Sequence, residues 1–99
     1  MKFEAKKTEK NLVLKLSGDL IGEDAGAGIM ESVNGAIHDG VGTCVIDISN
    51  LRYINSSGIG VLITILTKFR NKGGEVFLMN PSESVQKLLV ITKLNAIFQ

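Results

Sequence analysis

One cysteine and one histidine in 99 residues remove several classes of chemistry before any motif is sought. Cys44 can close no internal disulfide, and because it falls in an apolar, β-rich run it reads as a small buried hydrophobe rather than a reactive thiol. One Cys and one His cannot build a structural zinc site, and Asp19, Asp24, Asp39 and Asp47 show no metal-ligand spacing. His38 is the only imidazole that could serve as a general base. It falls at the exposed end of a predicted helix, far along the chain from the central serines, where it complements a helix C-terminus instead. Neither Gly-x-Ser-x-Gly nor Gly-x-x-x-x-Gly-Lys-Ser/Thr occurs, and Gly58-Ile59-Gly60 has Ile63 where a dinucleotide fingerprint carries its third glycine. Gly60 reads instead as a site of close helix packing. The chain is therefore not an enzyme by this reading, and no cofactor or metal is expected.

An excess of one charge is also missing. Eleven Lys and Arg against ten Asp and Glu leave a formal net charge of +1, so no polyanion partner is implied and nucleic-acid binding is not expected. Lys2, Lys6, Lys7 and Lys10 are interleaved with Phe3, Glu4 and Glu9, as on a solvent-facing edge strand. The start Met1-Lys2-Phe3-Glu4 has no apolar signal core, and the longest apolar stretch, Ile59 to Leu66, is interrupted by Gly60 and Thr64. No membrane span and a cytoplasmic location follow as expectations. No repeat, linker or low-complexity segment is visible. A hydrophobic content of 44% supports one modest core, and a small domain of balanced charge is expected to be monomeric when free.

What is present is an orderly alternation of strand and helix patterns. Lys2 to Lys7 and Leu12 to Leu16 read as antiparallel strands joined by a turn at Thr8 to Lys10, with Gly18 closing the hairpin. Asp24 is the expected N-cap of a first helix to about His38, with Ala25, Ile29, Val33, Ala36 and Ile37 as its apolar stripe and Gly26, Gly28 and Gly35 weakening it. Thr43 to Ile48 reads as a covered strand out of which Leu51 to Tyr53 lead. Ile59, Leu62, Ile63, Leu66 and Phe69 then recur at helical spacing until Gly73-Gly74. Glu75 to Met79 is a further buried strand. Asn80-Pro81-Ser82-Glu83 announces a last helix, with Asn80 as cap and Pro81 in its first position, and with Val85, Leu88 and Leu89 turned to the sheet. The fold class is α/β: a single domain of order β-β-α-β-α-β-α, a mixed sheet with helices mainly on one side.

The most informative segment is Asn55-Ser56-Ser57-Gly58-Ile59-Gly60, which puts two hydroxyls where a buried strand hands over to a helix. Ser57 falls at or beside the N-cap, where free backbone N–H groups and the helix dipole tolerate an anion such as a phosphate. Asp47 is read as a structural residue that accepts backbone N–H groups of this serine loop.

This segment lies within a longer pattern: Leu16-Ser17-Gly18-Asp19-Leu20, Val45 to Leu51, Ile54 to Leu62, Gly73-Gly74, Asn80-Pro81, Val85, Leu88-Leu89, Thr92-Lys93-Leu94 and Ile97-Phe98. It resembles the STAS family, in particular the anti-sigma factor antagonists, over nearly the whole chain. The resemblance implies one STAS domain over residues 1–99, without the closing helix that relatives carry, and with Leu94 to Phe98 as a remnant of their last strand. It implies that Ser57, immediately before the glycine, is the residue phosphorylated by an anti-sigma factor with a serine-kinase fold, and that a serine phosphatase resets it. It further implies a docking surface of Tyr53, Asn55, Ser56, Ser57 and Gly58 with the loop at Gly22, Glu23 and Asp24. Position 55 departs from the family's Asp-Ser-Ser-Gly in carrying Asn, which keeps the loop-forming shape but removes a charge. The alternative the resemblance allows is a constitutive STAS adaptor or scaffold in a stress-signalling or lipid-transport assembly, with Ser57 serving only as a cap.

Overall fold

The computed structural model describes residues 2–21 and 23–91, with the backbone alone at 23–25. Alternating leucines build the first part of it. Lys2–Lys7 (β1) and Asn11–Leu20 (β2) pair antiparallel, and Thr8 closes the turn by donating its N–H to the Asn11 carbonyl at 2.8 Å. Leu12, Leu14 and Leu16 are buried while Lys15 between them is exposed, the period-two pattern of a sheet covered on one face. β2 then pairs parallel with Thr43–Ile54 (β3), and β3 pairs parallel with Glu75–Met79 (β4), giving the order β1-β2-β3-β4. Parallel neighbours need crossover connections, which Glu23–His38 (α1) and Ser56–Asn71 (α2) supply before Glu83–Ile91 (α3) follows.

The mixed sheet and the element order are those expected from the sequence. Ile29 and Val33 of α1, Leu62, Ile65, Leu66 and Phe69 of α2, and Val85 and Leu89 of α3 join the strand residues in one core. Each such Leu or Ile contributes about 2 kcal/mol on leaving water. Cys44 lies in that core, and burial pushes its thiol up to about 12, which keeps it protonated and inert.

Several local expectations give way to tertiary context. Gly18 does not close the hairpin: it takes a left-handed φ of 89° beside a register shift, and β2 continues through it to Leu20. Thr43 to Ile48 is only half of its strand, since Leu51 to Ile54 also ladder onto β2. Asp24 lies inside the first turn of α1, not ahead of it, because the helix begins at Glu23. Ile63 faces solvent and Ile65 is buried in its place. α3 is capped by Ser82, whose Oγ accepts from Val85 N at 3.3 Å and donates to the Leu51 carbonyl at 3.1 Å. Asn80 instead takes a left-handed turn at φ 56°, which its short polar side chain tolerates. β4 is not fully buried: Val76 is enclosed, but Phe77 and Met79 are exposed, since among the described residues the strand pairs on one side only. β1, the opposite edge, presents exposed lysines as expected. Leu94 to Phe98 lie outside the described residues.

Candidate functional site

Leu20 and Ile54 are register partners at the ends of β2 and β3, so the chain leaves the sheet twice, side by side. Asn55 joins the two exits. Its backbone is extended (φ −101°, ψ −177°), its Oδ1 accepts from the Gly58 N–H at 2.8 Å, and its carbonyl accepts from Ile59 N at 2.9 Å. These are the bonds of an N-cap, so the cap of α2 is Asn55 and not either serine. The amide has a second end as well. Nδ2 donates to the Ile21 carbonyl at 3.3 Å, and Asn55 N donates to the Leu20 carbonyl at 3.2 Å. A carboxylate here could cap the helix but could not donate to Ile21.

Because Asn55 does the capping, Ser56 and Ser57 become the first two residues of α2, and both are exposed. Gly58 behind them is buried. A Cβ on Gly58 would stand 2.2 Å from the Leu20 carbonyl oxygen and 2.8 Å from Ile54 Cγ1, so the helix start rests directly on the strand ends. Close packing belongs to Gly58 rather than to Gly60, where a Cβ would meet nothing within 4 Å among the described residues. No acidic residue occupies the first turn of α2, which leaves its N–H dipoles uncompensated by side-chain charge.

The surface around the serines is flanked by two exposed apolar side chains, Ile21 (60% exposed) and Tyr53 (50% exposed). On the strand side, Arg52 makes a two-pronged pair with Asp19 at 3.2 and 3.1 Å. Asp47 stands apart from the serine loop. Its Oδ1 accepts the Ser49 N–H at 3.0 Å within β3 itself, and that bond holds its carboxyl below the ordinary aspartate range.

The structure therefore brings together Tyr53, Asn55, Ser56, Ser57 and Gly58. Gly22 and the side chains of Glu23 and Asp24 lie outside the described residues, although the Asn55–Ile21 bond brings the start of their loop to the site. Sequence reasoning missed Ile21 as a flanking residue. The available signal was an isolated apolar residue directly following the β2 strand pattern. Among the described residues, no group of three or more His, Cys, Asp or Glu could hold a metal ion, and no helix is long and apolar enough to cross a membrane.

The double use of Asn55 gives a direct stability expectation. Asn55→Ala should lower stability by about 1–2 kcal/mol through loss of the cap and the Ile21 bond together. Asn55→Asp should recover most of that loss, since its carboxylate caps Gly58 N and favours the helix dipole. Thermal unfolding of the two variants checks this, and an alanine variant as stable as wild type would contradict the capping geometry.

Comparison with known proteins matches the chain to the STAS domain over residues 2–99. Among solved structures, the anti-sigma factor antagonist SpoIIAA in its unphosphorylated form is 27% identical, with a TM-score of 0.74 over 88% of this chain and 80% of that one. The Bacillus cell fate determinant SpoIIAA in its phosphorylated form is 25% identical, with a TM-score of 0.79 over 99% of this chain and 89% of that one. The murine anion transporter Slc26a9 shares the fold at 16% identity and a TM-score of 0.69, with 86% of this chain matching 14% of that one.

Proposed function

The chain belongs to the STAS domain family, and from that premise we propose that it is an anti-sigma factor antagonist, a binding module switched by phosphorylation of Ser57. Unmodified, the surface of Ile21, Tyr53, Asn55, Ser56 and Ser57 docks on an anti-sigma factor of serine-kinase fold, and the sigma factor is freed. A phosphate on Ser57 releases the dock, and a serine phosphatase restores it.

The observation that carries this reading is the exposure of Ser57 at the second position of α2, with the cap supplied by Asn55. A hydroxyl not used for capping is open to a kinase. A phosphate added there meets solvent and helix N–H dipoles, so it leaves the free domain folded. The similarity to an antagonist solved with and without its phosphate supports the same reading.

The experiment uses wild type, Ser57→Ala and Ser57→Asp as parallel baits in the native extract with ATP, with mass spectrometry of both prey and bait. A kinase-fold prey retained by Ser57→Ala and lost by Ser57→Asp, with phosphate mapped to Ser57 of wild type, is the expected result. Equal retention by all three baits, with no phosphate on Ser57, would replace the switch by a constitutive adaptor.

A further inference from the structure

We propose that the face of the sheet turned away from the helices is a self-association surface, on which a second copy of this chain docks about a two-fold axis running along the strands. The helices send their buried residues to one side of the sheet, where Leu12, Leu14, Cys44, Ile46 and Val76 meet them. The alternate strand residues point the other way. Register sets them there in two rows. Lys6, Val13, Val45 and Phe77 are cross-strand neighbours in the first, and Glu4, Lys15, Asp47 and Met79 in the second. Val13, Val45 and Asp47 are half-buried and the others exposed, Phe77 by 37% and Met79 by 40%.

Charge selects the occupant. An apolar centre, Val13 and Val45, lies beside a row in which acid and base alternate. A two-fold axis along the strands, between β2 and β3, lays β2 of each copy over β3 of the other and β1 over β4. Val13 then meets Val45 of the second copy and Lys15 meets its Asp47, each contact occurring twice. Lys6 comes over the Phe77 ring of the second copy, a cation on an aromatic face. An axis across the strands matches poorly. Along the first row it sets Lys6 on Lys6, along the second Lys15 on Lys15, and midway it puts Lys15 and Asp47 on valines. Packed sheets keep their strands within about 30° of each other at a separation of about 10 Å. Val13, Val45, Lys15 and Asp47 lie next to the axis, where that tilt displaces them least. A polyanion or an anionic membrane finds no net charge to bind, since Lys6 and Lys15 are balanced by Glu4 and Asp47.

Area sets the strength. Four strands about 4.8 Å apart and the five residues of β4 give a face of about 19 by 17 Å. That is well below the roughly 800 Å² that each partner buries in a stable complex. The dimer is therefore weak, and the monomer expected of a small domain with balanced charge is its dilute form. Ser57, on α2, lies outside the contact, so a dimer offers two such sites and the inference stands independently of the switch.

Sedimentation equilibrium of the whole chain tests this. Wild type is expected to pass from one chain toward two between about 10 µM and 1 mM, with a dissociation constant on the order of 100 µM. Lys15→Asp and Phe77→Lys, both at exposed positions, are expected to melt cooperatively as folded domains and to weaken the dimer at least about tenfold by setting like charges together. Lys15→Asp mixed with Asp47→Lys is expected to dimerise again, because the pair restores opposite charges at both contacts between positions 15 and 47. Lys87→Glu on α3 and Glu31→Lys on α1 change the net charge by the same amounts, and each should dimerise like wild type. A wild type that stays monomeric at about 1 mM would overturn the proposal and leave the face to another occupant. A dimer that survives both Lys15→Asp and Phe77→Lys would also overturn it, by placing the contact elsewhere. Should Asp47→Lys fail to fold, those two variants decide alone.

Discussion

Gly58→Ala is expected to destabilise the domain by about 3 kcal/mol, the upper end of what overpacking a close contact does. Intrinsic helix propensity argues the other way, since alanine is favoured over glycine by roughly 0.5–1 kcal/mol. Contact geometry decides the sign. The new Cβ would lie 2.2 Å from the Leu20 carbonyl oxygen and 2.8 Å from Ile54 Cγ1. That carbonyl cannot swing aside freely, because it also accepts the Asn55 N–H at 3.2 Å, and Leu20 and Ile54 are laddered together at the strand ends. For a domain of this size the shift in melting temperature is about 10–20 °C downward. Gly60→Ala, in open space two residues further along α2, should move the melting temperature upward. Calorimetric melting of the pair reads the contrast, and equal shifts of the same sign would mean that α2 does not rest on the strand ends as described.

Ser57→Asp is expected to separate stability from binding. In the free protein, a negative charge at the second position of α2 meets a first turn with no acidic residue, where it is worth about 0.3–1 kcal/mol in favour of the fold. In the proposed complex, the same charge would be buried against groups that do not pair with it, at a penalty of roughly 3–5 kcal/mol. The larger effect decides the phenotype: affinity falls about 10²- to 10³-fold or more while the melting temperature holds or rises. Ser57→Ala, with no charge and no role in capping, should bind close to wild type. An Asp variant that binds normally, or one that loses binding because it unfolds, would contradict this account.

The parts of the molecule governed by local periodicity were legible in the sequence. Leu12, Leu14 and Leu16 announced a half-covered strand, Ile29 and Val33 the inner face of α1, and the order of elements required a mixed sheet. Errors arose where a residue's role depends on a distant neighbour. Gly18 looked like a terminator because its left-handed φ serves a bulge that only the β3 partner strand makes sensible. Gly58 and Gly60 were indistinguishable in one dimension, and the Leu20 carbonyl separates them. The sequence pointed to the serine loop but put Ser57 at or beside the cap, whereas Asn55 caps through Gly58 N and its amide is also held by the Ile21 carbonyl, 34 residues away. Ser82 displaced Asn80 as the cap of α3 for a similar reason, since its hydroxyl also reaches Leu51 on β3.

The most direct measurement is isothermal titration of the purified kinase-fold partner with two preparations of this protein, one unmodified and one stoichiometrically phosphorylated on Ser57, under identical salt and nucleotide conditions. The expected result is a saturable heat for the unmodified protein and an affinity at least about a hundredfold weaker for the phosphorylated one, with both preparations giving the same melting profile. Equal affinities for the two would contradict the switch and leave Ser57 as an ordinary exposed residue in the first turn of α2.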